Sequence, residues 1–160
     1  MHLRSAVAIL VLAGVLNGVG GCTYYNGMYN ANRLAKSARK AERDGRTLEA
    51  SSLWGQVATK AESVIVRHPT SKYAKEAGLL RGVALARLGQ CEEALGPLGL
   101  LGSTMGKSEL AEDALLSAGR CHVAMQNWSA AEAAFSQLLN SKNAARRQEA
   151  RFQHARLLRQ

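Results

Sequence analysis

Residues 82–98 read GVALARLGQCEEALGPL. Apolar side chains recur every three to four positions on both sides of Gly89, and this is the spacing of amphipathic helices. A glycine after a helix can adopt the left-handed backbone that ends it without steric cost. The sequence therefore predicts two helices that are joined by a tight turn at Gly89.

The same arrangement of small, bulky and turn residues occurs in two other segments, residues 38–54 and residues 119–135. In each segment a second small residue follows the first by 12 positions. The aligned residues are Ala38, Ala41, Gly45, Ala50 and Trp54; Gly82, Leu85, Gly89, Ala94 and Leu98; and Gly119, His122, Gln126, Ala131 and Phe135. Self-similarity of this kind predicts a repeated pair of helices.

This pattern resembles the tetratricopeptide repeat, a unit of about 34 residues that forms two helices. In that family the two helices are antiparallel, small residues let them approach closely, and bulky residues fill the space beside them. The resemblance covers residues 31–142. It implies an all-α, tetratricopeptide-like solenoid of antiparallel helix pairs, with about three repeats plus a terminal helix at 144–159. Ala41, Leu85 and His122 depart from the family, which has a tyrosine there. A generic helical bundle is the alternative.

Capping and breaking residues predict where individual helices start. We expect Thr47 to cap a helix of about 20 residues and Ser108 to cap another. Ser129 and Glu132 have the spacing of a capping box. Pro97 lacks a backbone donor, so the helix that contains it should be short or bent.

The N-terminal residues have the three-part layout of an export signal. Arg4 is followed by an apolar run at residues 6–16 and then by small polar residues. This run is too short to span a bilayer with ease, which takes roughly 20 apolar residues. A plain signal peptide followed by a chance cysteine at position 22 would account for the pattern.

Residues 19–22, VGGC, also resemble the bacterial lipobox. In that family the cysteine is acylated, palmitate being a usual chain, and becomes the first mature residue. The resemblance implies a signal peptide at 1–21, a tether at 22–30 lipidated on Cys22, and a helical domain at 31–160. Thr23 follows the cysteine, which in the enteric sorting rule favours the outer membrane. The tyrosines of the tether either lie near the lipid headgroups or pack on the first helix.

A short motif points to the cell envelope. Residues 68–74 read HPTSKYA and resemble the Pro-x-Ser-x-Tyr-Ala junction of envelope proteins of this repeat class, such as BamD-type assembly lipoproteins. The resemblance implies a scaffold for protein–protein interaction, lipid-anchored in the outer membrane, facing the periplasm and acting in outer-membrane protein assembly. A coordinator of cell division or the cell wall and a pilus-assembly pilotin are the alternatives.

In the repeat superfamily, partners bind a concave groove formed by the first helix of each pair. Carried over, the groove residues are Arg39, Arg43, Glu76, Leu79, Val83, Arg87, Asp113, Leu116 and Arg120. An apolar floor flanked by charges suits an envelope protein, presented as a peptide or a helix.

The sequence has no recognisable catalytic or metal-binding motif. His68, His122 and His154 are isolated, and the zinc-protease, hydrolase, P-loop and dinucleotide-binding patterns are absent. We expect neither an enzyme nor a cofactor, metal site or small-molecule substrate. Nucleic acid is not expected as a partner outside the cytoplasm.

Basic residues exceed acidic ones by 21 to 12 and are concentrated in two places. One cluster is Arg33, Lys36, Arg39, Lys40, Arg43 and Arg46, and the other is Arg146, Arg147, Arg151, Arg156 and Arg159. These surfaces contact either anionic headgroups or an acidic partner, or they are ordinary solvated surfaces. The second cluster suits a polar terminal cap, although a longer product with a further helix is the alternative.

Two cysteines remain in the helical domain, Cys91 and Cys121. The oxidising periplasm permits a disulfide between them. Two buried thiols, which pack as small apolar side chains, are the alternative.

Overall fold

The structure, a computed structural model, describes residues 27–102 and 108–159. Within these ranges it contains seven α-helices and no strand, which confirms the all-α class. The helices are α1 (Tyr29–Arg43), α2 (Thr47–Arg67), α3 (Ala74–Arg87), α4 (Cys91–Gly102), α5 (Glu109–Ala124), α6 (Trp128–Ser136) and α7 (Ala144–Leu157). None of these helices is long and apolar enough to cross a membrane. The expected signal peptide and the expected acylation site, Cys22, lie outside the described residues.

Each helix packs against the next one along the chain. In addition, α3 packs against α5, and α5 packs against α7. The larger apolar core contains residues from α1 to α4 together with one side of α5. A smaller core lies among α5, α6 and α7 around Phe135. Helix α5 therefore contributes to both cores.

The pairs α1–α2, α3–α4 and α5–α6 share one turn. Gly45, Gly89 and Gln126 have positive φ angles of 75°, 79° and 59°. The amide of the next residue donates to a carbonyl five residues earlier in all three turns. These hydrogen bonds are Arg46 to Ala41 at 2.9 Å, Gln90 to Leu85 at 3.0 Å and Asn127 to His122 at 2.8 Å. The bond closes a Schellman motif, so the first helix of each pair ends in the same way.

The aligned small residues lie where two helices come close together. A β-carbon on Gly82 would be 2.9 Å from the side chain of Leu98, and one on Gly119 would overlap the ring of Phe135. Since real β-carbons do not approach so closely, α4 and α6 could not pack in this way against alanine at these positions.

Two of the predicted helix starts differ from the structure. Thr47 is the first residue of α2, so the preceding residue, Arg46, occupies the capping position. Asn127, not Ser129, caps α6 and accepts a hydrogen bond from the Ala130 amide. The turn at Gln126 fixes the start of α6, and Ser129 is therefore already helical.

Two other local predictions are confirmed. Ser108 caps α5, and its hydroxyl accepts a hydrogen bond of 3.1 Å from the Ala111 amide. Pro97 lies inside α4, which has only 12 residues, against 21 in α2.

Candidate functional site

The apolar residues expected to line a groove lie in the protein core. Leu79 and Val83 have no exposed surface, and Leu116 is 6% exposed. The physical reason is that α3 packs against α2, α4 and α5, which together cover most of its circumference. These three side chains have almost no surface to offer a partner.

The charged residues expected in the groove do come together, with Asp113 at the centre. This carboxylate is 8% exposed. It accepts a hydrogen bond of 2.7 Å from Arg39 of α1 and one of 2.8 Å from Nε of Arg146 of α7. A buried carboxylate needs such partners to offset its lost hydration. Asp113 therefore links α1, α5 and α7.

A second group of polar contacts surrounds the indole of Trp54. Its Nε1 donates a hydrogen bond of 2.8 Å to Glu42, and Arg87 lies 3.1 Å from the same carboxylate. The guanidinium groups of Arg39 and Arg87 lie 5.6 and 5.8 Å from the ring centroid, within cation–π range. These contacts join α1, α2 and α3.

Arg87 is one of the two most buried cations of this site, together with Arg146. Burial lowers the pKa of its guanidinium, and the charge of Glu42 opposes that effect. The nearby cations Arg120 and Arg39 lower this pKa further, whereas Asp113 raises it. Arg87 therefore couples the contacts around Trp54 to those around Asp113.

A further ion pair connects α5 to α7. Arg120 donates a hydrogen bond of 2.8 Å to Glu149, and so does Gln153. Burial raises the pKa of the Glu149 carboxyl, but these hydrogen bonds outweigh it and the pKa is lowered. Burial likewise lowers the pKa of Arg146, yet its bond to Asp113 and the nearby acidic charges give a net increase.

We call these connected charges the ionic network. Its members are Arg39, Glu42, Arg87, Glu109, Glu112, Asp113, Arg120, Arg146 and Glu149. They come from α1, α3, α5 and α7, which are every second helix along the chain. Four cations face five carboxylates, of which Glu109 is the most exposed and lies 3.8 Å from Arg146. Arg39, Arg120 and Glu149 keep about a third of their side-chain surface exposed.

The other two expected groove residues lie beside the network. Glu76 of α3 accepts a hydrogen bond of 3.2 Å from Asn32 of α1. Arg43 is exposed at the end of α1, and within the described part of the chain it forms no ion pair. Neither side chain is buried, so both could contact a partner.

Several members of the network were not predicted from the sequence. Glu42, Glu112 and Glu149 were not assigned to the groove, and Arg146 was assigned to a solvated cap. The Arg146 side chain is only 14% exposed and is ion-paired. Arg39 and Asp113 are separated by 74 residues, a separation that no local pattern can reveal.

The second and third helix pairs are linked covalently. Cys91, at the start of α4, and Cys121 of α5 form a disulfide with their Cα atoms 5.1 Å apart. The neighbouring His122 has a buried Nδ1 without a hydrogen-bond partner among the described residues. Burial lowers the pKa of this histidine. In residues 27–102 and 108–159, no group of three or more histidine, cysteine or acidic side chains could hold a metal ion.

Comparison with known proteins does not assign the chain to a family. No protein-family model matches it. No curated protein matches it either.

Proposed function

We propose that this chain is a membrane-anchored scaffold for protein–protein interaction, built from tetratricopeptide-like helix pairs. The observation that carries the proposal is the turn shared by three helix pairs, with identical hydrogen bonds at the aligned positions Gly45, Gly89 and Gln126. Stacked helix pairs form extended binding surfaces in repeat proteins. The step from repeat to binding is an argument from fold analogy.

The proposed anchor is an acylated Cys22. Each buried methylene group contributes about 0.8 kcal/mol to membrane binding, so several acyl chains would hold the protein firmly. Confinement to the membrane raises the effective concentration of any partner there. We place the protein on the periplasmic side of the outer membrane, where a role in the assembly of outer-membrane proteins fits best.

The ionic network supports a docking role for the surface on which it lies. An ion pair with solvent access contributes only about 0–1 kcal/mol to stability. A partner segment that carries charges of both signs can therefore replace the outermost pair, Arg120 with Glu149, at little cost.

Site-specific photo-crosslinking in living cells tests this docking surface. A photoreactive residue replaces Glu76, beside the network, or Arg120, within it. In the matched controls it replaces Gln56 or Lys60, which are exposed on α2. We expect both network positions to give the same adduct with one envelope protein. Equal labelling at the control positions, or no adduct at the network positions, would contradict the proposal.

The identity of that adduct defines the role of the scaffold. An outer-membrane assembly protein would support our proposal. A component of cell-wall synthesis, cell division or pilus assembly would replace it with one of those functions.

A separate measurement tests the anchor. Cells are labelled with a palmitate analogue, and the chain is compared with its Cys22→Ser variant. The label should be lost in the variant. A chain that carries no label, or a variant that keeps the label, would contradict acylation at this residue.

A further inference from the structure

The charged residues of α1 point in two directions. Arg39 turns inward to Asp113, and Glu42, the only acidic residue of the helix, turns inward to Arg87 and Trp54. Four other basic residues are exposed and have no ion pair among the described residues. They are Arg33, Lys36, Lys40 and Arg43. The outer surface of α1 therefore carries four positive charges and no negative one.

These four residues form a row along one side of the helix. Their spacing of three, four and three residues keeps them on one face, and they span about 15 Å of helix length. The opposite face consists of Ala31, Ala35 and Ala38, which are completely buried. Tyr29, 53% exposed, lies at the N-terminal end of the same row. We call Tyr29 and these four basic residues the basic stripe.

We infer that the basic stripe binds the anionic lipid headgroups of the membrane in which the protein is anchored. This inference rests on the proposed acylation of Cys22. Helix α1 begins seven residues after that cysteine, and seven residues span at most about 25 Å. The anchor therefore keeps the stripe near the bilayer surface, where charges separated by less than a Debye length of about 8 Å still interact.

The chemistry of the stripe fits a lipid surface. Rows of lysine and arginine attract anionic leaflets, and each such residue contributes about a fivefold gain in binding. Tyrosine is favoured at the level of the headgroups, and Tyr29 lies at the end of the stripe that is closest to the anchor. Binding along α1 would fix the orientation of the helix pairs, which a single lipid tether leaves able to rotate.

Sedimentation with vesicles tests the stripe without the anchor. The chain from residue 22 onward, with Cys22→Ser, is mixed with millimolar lipid as neutral phosphatidylcholine vesicles or as vesicles that also contain phosphatidylglycerol. We expect binding to the anionic vesicles alone, and we expect salt at about 0.5 M to abolish it.

A charge-matched pair of variants identifies the surface. Replacing Arg33, Lys36, Lys40 and Arg43 by glutamine should weaken vesicle binding at least about 30-fold. The control replaces four exposed basic residues elsewhere, Lys60, Arg67, Lys75 and Arg151, and should weaken it less than about fivefold. Circular dichroism verifies that both variants keep their helices.

Two results would overturn the inference. One is the absence of binding to anionic vesicles at low salt, as expected if the stripe serves only an acidic protein. The other is an equal loss of binding in the two variants. Failure of acylation is seen separately, because the palmitate label depends on Cys22 and vesicle binding of the Cys22→Ser chain does not.

Discussion

The second and third helix pairs share one backbone arrangement but carry different side chains at equivalent positions. The turn residue is Gly89 in the pair α3–α4 and Gln126 in the pair α5–α6, both with positive φ. In the pair α3–α4, Gly82 contacts the flexible side chain of Leu98. In the pair α5–α6, Gly119 contacts the aromatic ring of Phe135. Positive φ is open to glycine, whereas a residue with a β-carbon incurs a cost of about 1–2 kcal/mol.

The third pair is therefore the less favourable version of the same unit. It also contains the Nδ1 of His122, which has no hydrogen-bond partner in the described part of the chain, and it packs in the smaller core. Connections to its neighbours compensate for these costs through the disulfide at Cys121 and the ion pairs of Asp113 and Arg120. A repeat can therefore tolerate unfavourable local contacts where bonds to neighbouring repeats stabilise it.

Loss of the disulfide between the two pairs should cause the largest decrease in the free energy of unfolding. The cysteines are 30 residues apart, and a loop of this length corresponds to about 3–4 kcal/mol of stabilisation. We expect the double variant Cys91→Ala/Cys121→Ala, in a Cys22→Ser background, to lose about that amount in denaturant unfolding. Reductant should destabilise the parent equally and leave the double variant unchanged. If reductant does not change the stability of the parent chain, the disulfide does not stabilise the fold.

The glycine contacts give the next largest effect. Gly119→Ala forces a methyl group into the Phe135 ring and should lower the free energy of unfolding by about 1–3 kcal/mol. Gly82→Ala should cost less, because the Leu98 side chain can rotate. Gly55→Ala is the control, since no described atom outside its own helix lies within 4 Å of its β-position. It should raise stability by about 0.5–1 kcal/mol.

These three variants also test the alignment of the repeats. Equal stability of Gly119→Ala and Gly55→Ala would show that the α5–α6 approach is not tight. If Gly82→Ala loses more stability than Gly119→Ala, the helices of the pair α3–α4 are packed more tightly than those of α5–α6.

Either single substitution of a turn residue should make the two turns alike. Gln126→Gly removes the strain of positive φ and should stabilise the chain by about 1 kcal/mol, whereas Gly89→Gln should destabilise it similarly. Denaturant unfolding measures both changes. If Gln126→Gly is neutral, the turn of the third pair is not strained.

The smallest expected effect is a pH dependence from His122. Burial lowers its pKa below the ordinary value of 6.5, so the unfolded chain binds the proton first as the pH falls. Stability should therefore decrease as the pH falls below 6.5, until the folded-state pKa is reached. His122→Gln should flatten the profile in this pH range. An unchanged slope in that variant would assign the dependence to other groups.

Protonation of Glu149 also lowers the stability as the pH falls, but at a lower pH than that of His122. Its pKa lies below the ordinary 4.5 in the folded chain, so its contribution is complete above pH 4.5 and is lost as the pH falls through the folded-state value. The two titrations can thus be separated by their pH ranges.

The helix pairs could be predicted from the sequence because a glycine that ends a helix is a local signal. Gly45 and Gly89 mark turns by themselves, and Gln126 was found only through its alignment with them. The start of α6 was misplaced because Asn127 and Ser129 are both good capping residues, and the turn geometry decides between them.

The candidate site was less predictable, because it depends on tertiary packing. Leu79 and Val83 are on the first helix of a pair, where the family pattern expects a groove, but three neighbouring helices cover α3. The partners of Arg39 and Arg87 lie on other helices, 74 and 45 residues away. Sequence spacing indicates which residues share a face but not which charge lies opposite that face.

The environment of Trp54 has a practical consequence for spectroscopy. The chain contains two tryptophans. Trp54 is 1% exposed and lies within cation–π range of two guanidinium groups, whereas Trp128 is 42% exposed. In a Trp128→Phe chain, the fluorescence emission of Trp54 shows whether the pair α1–α2 is packed against α3. The protein thus carries an intrinsic optical sensor for events at its charged surface, and no dye needs to be attached.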